Sequence, residues 1–155
     1  MADEALFSQQ PLAEQKNLIL ENRVPAALEV EADHDRMIQV LVNLINNAIK
    51  FTDTGTVTVE AEAESAAVAF RVRDTGAGIP REAQETIFNK FAQVGSTLHR
   101  NAGGTGLGLA IVRGIVREHG GDVFVDSEPD RGSCFTFMIP QPPRKVIHEL
   151  AGPLD

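Results

Sequence analysis

Tryptophan and tyrosine are absent from this 155-residue chain, and eight phenylalanines supply all of its aromatic character. Stacking platforms for single-stranded nucleic acid are therefore thinly supplied. Cysteine is nearly absent too. Cys134 stands alone, which excludes an internal disulfide and any cysteine-cluster zinc site. Positive charge is scarce: 14 Lys and Arg face 22 Asp and Glu, for a net charge of −8. Such a surface repels DNA and anionic membranes, so neither nucleic acid nor a membrane is expected as a partner. No apolar run approaches the roughly 18 to 20 residues that cross a bilayer. The acidic residues 1–10 do not read as a signal peptide. A soluble, cytoplasmic chain is the expectation.

What is present suits a single domain. The apolar share is 43% and the charged share 23%, ordinary globular usage. Residues 1–15 are polar and carry only a weak helical pattern, so they read as a lead-in segment. An apolar patch at Leu18, Ile19 and Leu20, the break at Pro25 and the alternation Leu28-Glu29-Val30-Glu31 predict two short strands around a turn. Residues 33–51 form the clearest helix, with Asp33 as N-cap. At about 100° per residue, Ile38, Leu41, Leu44, Ile45 and Ala48 share one face. Arg36, Gln39, Asn43, Asn47 and Lys50 fall on the opposite one, within about 40° of each side of Asn43.

Residues 56–62 and 66–73 alternate as strands, with Val57, Val59 and Ala61, then Val68, Phe70 and Val72, inward. The short loop between them predicts an antiparallel hairpin. A Gly-rich stretch at 74–80 leads into a helix over 80–88, with Pro80 at its first position. Residues 89–106 read as a long loop, 107–119 as a second strong helix stopped by Gly120-Gly121, and 121–126 and 133–139 as two more strands. Strands in hairpins rather than βαβ alternation predict an α+β fold: a two-layer sandwich whose mixed, mostly antiparallel sheet of about five strands is covered on one face by about three helices.

The polar stripe on the first strong helix carries chemistry. Asparagine is a mediocre helix former, and a merely solvated face would more naturally carry Glu and Lys. Amide oxygens are neutral hard ligands for Mg²⁺, and an ammonium suits a phosphate. The Asp74-Thr75-Gly76-Ala77-Gly78-Ile79-Pro80 segment comes directly after a strand, and a carboxylate at a strand end can accept from an exocyclic amine. Gly103-Gly104-Thr105-Gly106-Leu107-Gly108-Leu109 opens a helix, where exposed N–H groups and the dipole form an anion site. No Lys follows Gly104 or Gly106, so this is no P-loop. It comes after an irregular stretch rather than a strand, so it is no dinucleotide fingerprint either.

Together these segments resemble the catalytic ATP-binding domain of sensor histidine kinases, in the superfamily that also holds DNA gyrase B, Hsp90 and MutL. The resemblance runs from about Asn17 to Pro140. The N box is matched by Asn43-Leu44-Ile45-Asn46-Asn47-Ala48-Ile49-Lys50-Phe51 and the G1 box by residues 74–80. The F box is matched by Ile87-Phe88-Asn89-Lys90-Phe91, and the G2 box by Gly104-Thr105-Gly106-Leu107-Gly108-Leu109. The resemblance implies a Bergerat-type sandwich that binds ATP and Mg²⁺. Asn47 is then the Mg²⁺ ligand, Asn43 supports the phosphates or the metal's water shell, and Lys50 contacts phosphate. Phe51 lines the nucleotide pocket, Asp74 accepts from the adenine amino group, and Gly76 and Gly78 let the base approach. Gly104, Thr105, Gly106, Leu107 and Gly108 hold the polyphosphate, and Thr136 helps to bind adenine. Residues 92–103 form the ATP lid, with His99 and Arg100 as candidates to meet the γ-phosphate, while Phe88 and Phe91 anchor its base.

In ATP-hydrolysing relatives a Glu stands four residues before the magnesium-binding Asn; here that position is Asn43. An amide cannot take a proton at neutral pH, which favours a kinase branch over a hydrolase. The expected function is phosphoryl donation to a histidine on a separate dimerisation domain, with a response regulator as indirect partner. His34, His99, His119 and His148 lack the phosphoacceptor context. Residues 1–15 are then a linker or the end of a missing hairpin, 16–140 the ATP-binding domain and 141–155 a tail. The fragment is expected to be monomeric, and a membrane anchor elsewhere in a longer parent stays open. Rival readings are an anti-sigma-type serine kinase, a nucleotide-responsive binding module without transfer activity, and a DNA-topology or mismatch-repair ATPase.

Overall fold

A computed structural model describes residues 1–89 and 108–142. Among these, five strands form one sheet in the order β1-β2-β3-β5-β4. They are β1 (Ile19–Asn22), β2 (Thr56–Ala63), β3 (Ala67–Asp74), β4 (Asp122–Ser127) and β5 (Ser133–Pro140). The helices are α1 (Ala2–Gln15), α2 (His34–Lys50), the single turn α3 (Arg81–Gln84) and α4 (Gly108–Glu118). The expected α+β sandwich is what forms. Pairing is antiparallel throughout except between β1 and β2, which run parallel.

Period-2 alternation places Val57, Val59, Val68, Phe70, Val72, Phe135, Phe137 and Ile139 on one face, all buried. Phe70 and Phe137 stack at 4.9 Å between ring centroids. Against this face lies α2, whose Met37, Val40, Leu41, Leu44, Ile45, Ala48 and Ile49 are buried. That apolar arc is wider than the sequence suggests, because α2 packs against α1 and α4 as well as the sheet. Asp33 caps α2 as expected, accepting from the Arg36 N–H at 3.1 Å. The other face of the sheet is polar. Arg71 meets Glu62 at 3.0 Å and Arg73 meets Glu60 at 2.7 Å, diagonal pairs worth about 0–1 kcal/mol each on a wet face.

Residues 1–15, with their weak helical pattern, form α1, which buries Ala5, Leu6 and Ala13 with Gln9 against α2. Three local expectations are corrected. Residues 28–31 form no strand. Leu28 and Val30 turn partly inward, but the backbone of Glu31 is satisfied by the Gln141 side chain, which accepts from its N–H at 2.7 Å and donates to its carbonyl at 3.2 Å. The strand that does form, β1, leads through α2 to its parallel neighbour, so one βαβ crossover sits inside an otherwise hairpin-built sheet. The helix expected over 80–88 shrinks to α3, with Pro80 as its N-cap rather than its first residue.

Candidate functional site

Two helix ends and two loops converge at the end of the sheet where β3 finishes and β5 begins. Asp74 is the last residue of β3. It continues the Val68, Phe70, Val72 parity, so its carboxylate lies on the helix-covered face and is buried. Its register partner across the ladder is Ser133. The Asp74 carboxylate accepts the Gly76 N–H at 2.9 Å, and the Ser133 N–H also faces it. Burial raises its pKa above the ordinary carboxylate value; the two backbone N–H groups and the nearby Thr52 hydroxyl oppose that rise without cancelling it. Thr52 Oγ1 is fully buried and makes no hydrogen bond of ordinary geometry, although it lies close enough to Asp74 to favour the ionised form.

The 74–80 loop is held from both sides. Towards α2, the Ala77 N–H donates to the Phe51 carbonyl at 3.3 Å. A methyl group on Gly76 would sit 2.3 Å from that carbonyl and 2.8 Å from Thr52 Oγ1, so only glycine fits. Towards β4 and β5, the Ile79 N–H donates to Ser127 Oγ at 2.8 Å, and Ser127 Oγ donates to the Gly132 carbonyl at 2.9 Å. That uses the one proton of Ser127, so the Ser133 hydroxyl, 3.0 Å away, is the donor between the two serines. Gln84 closes the loop by donating to Ile79 and Ser127 carbonyls at 2.8 and 2.9 Å. Gly78 has φ +78°, and its missing Cβ would strike the Glu128 carbonyl.

The polar stripe of α2 runs away from this end. Asn43, Asn47 and Lys50 are half-buried rather than solvated. A methyl group on Gly108, the first residue of α4, would lie 3.7 Å from Asn43 Oδ1. The structure thus brings the amide stripe against the N-terminal end of α4, where N–H groups and the positive end of the dipole favour an anion. Phe51 is the C-cap of α2. No group of three or more His, Cys, Asp or Glu among the described residues could hold a metal on its own.

Thr136 is the expected site residue that the structure does not bring in. It pairs with Arg71 and Phe124 on the polar outer face, one residue out of phase with Asp74. The β5 residue beside Asp74 is Ser133, missed in the sequence along with Thr52. The parity of buried Phe135 and Phe137 was the signal that could have found Ser133. Phe88 is buried, edge-on to Phe135 at 6.0 Å with the Arg113 guanidinium 5.9 Å from its ring. Gly104, Thr105, Gly106, Leu107, Phe91, His99 and Arg100 lie outside the described residues. His34 meets Glu4 at 3.2 Å, and His119 bonds the Ile115 carbonyl at 2.9 Å and the Asp33 N–H at 3.3 Å. Both are tied into helix ends away from the site. No helix among the described residues is long and apolar enough to cross a membrane.

Residues 32–143 match the family described as histidine kinase-, DNA gyrase B-, and HSP90-like ATPase. The sensor histidine kinase RcsC of Escherichia coli strain K12 is 44% identical over 151 residues, which cover 92% of this chain and 16% of that protein. The chain therefore spans about a sixth of the length of this curated relative. Full-length ShkA in complex with AMPPNP matches with TM-score 0.80 and 35% identity, covering 90% of this chain and 29% of that one. The catalytic domain of the histidine kinase ThkA matches with TM-score 0.77 and 33% identity, covering 92% of both chains. ThkA in complex with the response regulator protein TrrA matches with TM-score 0.73 and 31% identity, covering 90% of this chain and 39% of that one. From the sheet order, from the buried carboxylate at its end and from these likenesses, the chain belongs to the histidine kinase-, DNA gyrase B- and HSP90-like ATPases, as a catalytic ATP-binding domain of the sensor histidine kinase type.

Proposed function

We propose that this domain binds Mg·ATP in the cleft between Asp74 and the start of α4 and presents the γ-phosphate to a histidine on a separate dimerisation domain. The observation that carries the reading is the single line of polar groups from a buried carboxylate to a helix N-terminus. Asp74 is an acceptor at the closed end, suited to an exocyclic amine. Ser133 and Thr52 supply hydroxyls beside it, and Phe51 supplies an apolar wall. Asn43 and Asn47 supply neutral amide oxygens, Lys50 a cation, and Gly108, at the start of α4, a backbone N–H for the polyphosphate.

Asn47 suits Mg²⁺ because its ligand oxygen is hard and uncharged. Asn43 and Asn47 alone would hold the ion weakly, so phosphate oxygens and water would have to complete its shell. When bound, the ion neutralises charge on the phosphates. This chain's own residues orient the nucleotide and screen it. With an amide at position 43, no described side chain on this helix face can take a proton from water, and bound ATP is kept for transfer. The acceptor histidine, and any base that assists it, come from the other domain. A response regulator is the expected recipient further along.

The test is phosphotransfer from radiolabelled ATP to a separately expressed dimerisation hairpin. Label on the hairpin histidine, stable to base and labile to acid, is expected. Label on a serine instead would shift the reading to an anti-sigma-type kinase. Rapid release of inorganic phosphate without the hairpin would shift it to a hydrolase.

A further inference from the structure

The α1–α2 interface is mainly apolar, through Ala5, Leu6 and Ala13, yet two polar contacts interrupt it. Asn46 donates to the buried Gln9 side chain at 3.0 Å. Lys16, the C-cap of α1, extends its Nζ to the carbonyls of Ile49 and Lys50 at 2.7 and 3.3 Å. Both contacts reach α2 from the side, next to the face that carries Asn43 and Asn47. Asn46 is the direct neighbour of Asn47, and the two carbonyls are the last of the helix before Phe51.

An ammonium there adds a charged donor to the last carbonyls of the helix, where Ile49 also accepts the Thr52 N–H at 3.4 Å, and it sits at the negative end of the dipole. A helix end held this way cannot fray or rotate freely. Phe51 is the next residue along the chain, and its carbonyl receives the Ala77 N–H at 3.3 Å and abuts Gly76. Lys16 thus fixes the joint where the phosphate stripe meets the base-end loop. It also lies 4.0 Å from Asp53, which is fully exposed, so that ion pair contributes little.

We propose that Lys16 is a positioning residue for the nucleotide site: it sets the end of α2 so that Asn47 and Lys50 meet the polyphosphate. The inference rests on the proposed Mg·ATP site. Its test is calorimetry of a non-hydrolysable Mg·ATP analogue and of adenosine. The whole chain is compared with Lys16→Met, Lys16→Gln, Lys16→Arg and Asp53→Asn, below the melting temperature of every variant.

Lys16→Met is expected to weaken the ATP analogue about tenfold, the scale of losing a charge-assisted hydrogen bond. Adenosine affinity is expected to change less than about twofold, Lys16→Arg to recover most of the loss and Lys16→Gln to fall between. Asp53→Asn is expected to leave both affinities unchanged. Unchanged ATP affinity in Lys16→Met would overturn the proposal, as would an equal loss for ATP and adenosine, which marks general loosening. A loss in Asp53→Asn matching that of Lys16→Met would also overturn it, by moving the effect to the ion pair. Failure of the unsubstituted chain to bind the ATP analogue at all would overturn both this inference and the proposed function.

Discussion

The two ends of the proposed nucleotide site are built in opposite ways. At the base end the chain holds itself: Asp74, Gly76, Ile79, Gln84, Ser127, Gly132 and Ser133 are joined by hydrogen bonds between 2.8 and 3.0 Å. At the phosphate end the groups are chiefly side chains along one helix face, and that helix is held by the sheet, by α4 and, at its last turn, by Lys16 of α1. The base end is thus rigid through its own loops, whereas the phosphate end is rigid by proxy. A ligand's base should meet a preformed acceptor, and its phosphates a surface whose aim depends on how α2 is held.

Asp74→Asn should break the base end hardest. ATP, ADP and adenosine affinities should fall together by about 30- to 100-fold, as expected for removing a charged acceptor from a buried site. Stability should move the other way. Burial holds the Asp74 pKa above its unfolded value. As pH rises from the ordinary carboxylate value through the raised folded one, the unfolded chain releases its proton first, and the fold loses stability. The substituted chain lacks that loss. Its melting temperature at neutral pH should equal or exceed the original, with a flatter pH dependence on the acid side. A large drop in melting temperature would mean that Asp74 is chiefly structural.

Asn47→Ala should come next, at about tenfold, and only with Mg²⁺ present. Affinities measured in a chelator should match the original; an equal loss there would remove Asn47 from metal binding. The smallest effects separate the two faces of β5. Ser133→Ala should weaken ATP about threefold by removing one hydroxyl beside the base end. Thr136→Ala, on the outer face, should change it less than about twofold. The reverse order would restore Thr136 to the site.

Legibility followed periodicity. Helix α2 and the β2–β3 hairpin were readable because one amphipathic pattern ran through each without interruption. Asp74 was readable because a carboxylate ended a strand and glycines came after it. Helix α1 was not, since Gln9 is a buried polar residue whose partner, Asn46, lies 37 positions away, and Pro11 lies within the helix. The false strand at 28–31 had the correct alternation but no ladder; the backbone of Glu31 bonds a distant side-chain amide, that of Gln141. Thr136 came from the resemblance, by its position on the last strand; the alternation of buried Phe135 and Phe137 puts it on the face opposite to Asp74.

Gly78 and Gly132 have a consequence for anyone who would alter this domain. The first leaves space for the Glu128 carbonyl, and the second, at φ +84°, for the carbonyl of Asp74. The 74–80 loop and the β4–β5 turn are therefore interlocked, each occupying the volume of a side chain that the other lacks. A short connection on the surface would ordinarily be the first choice for inserting a tag or opening new termini. Here it is interlocked with the loop that carries Asp74, so a cut or insertion at 128–132 would be felt at Asp74.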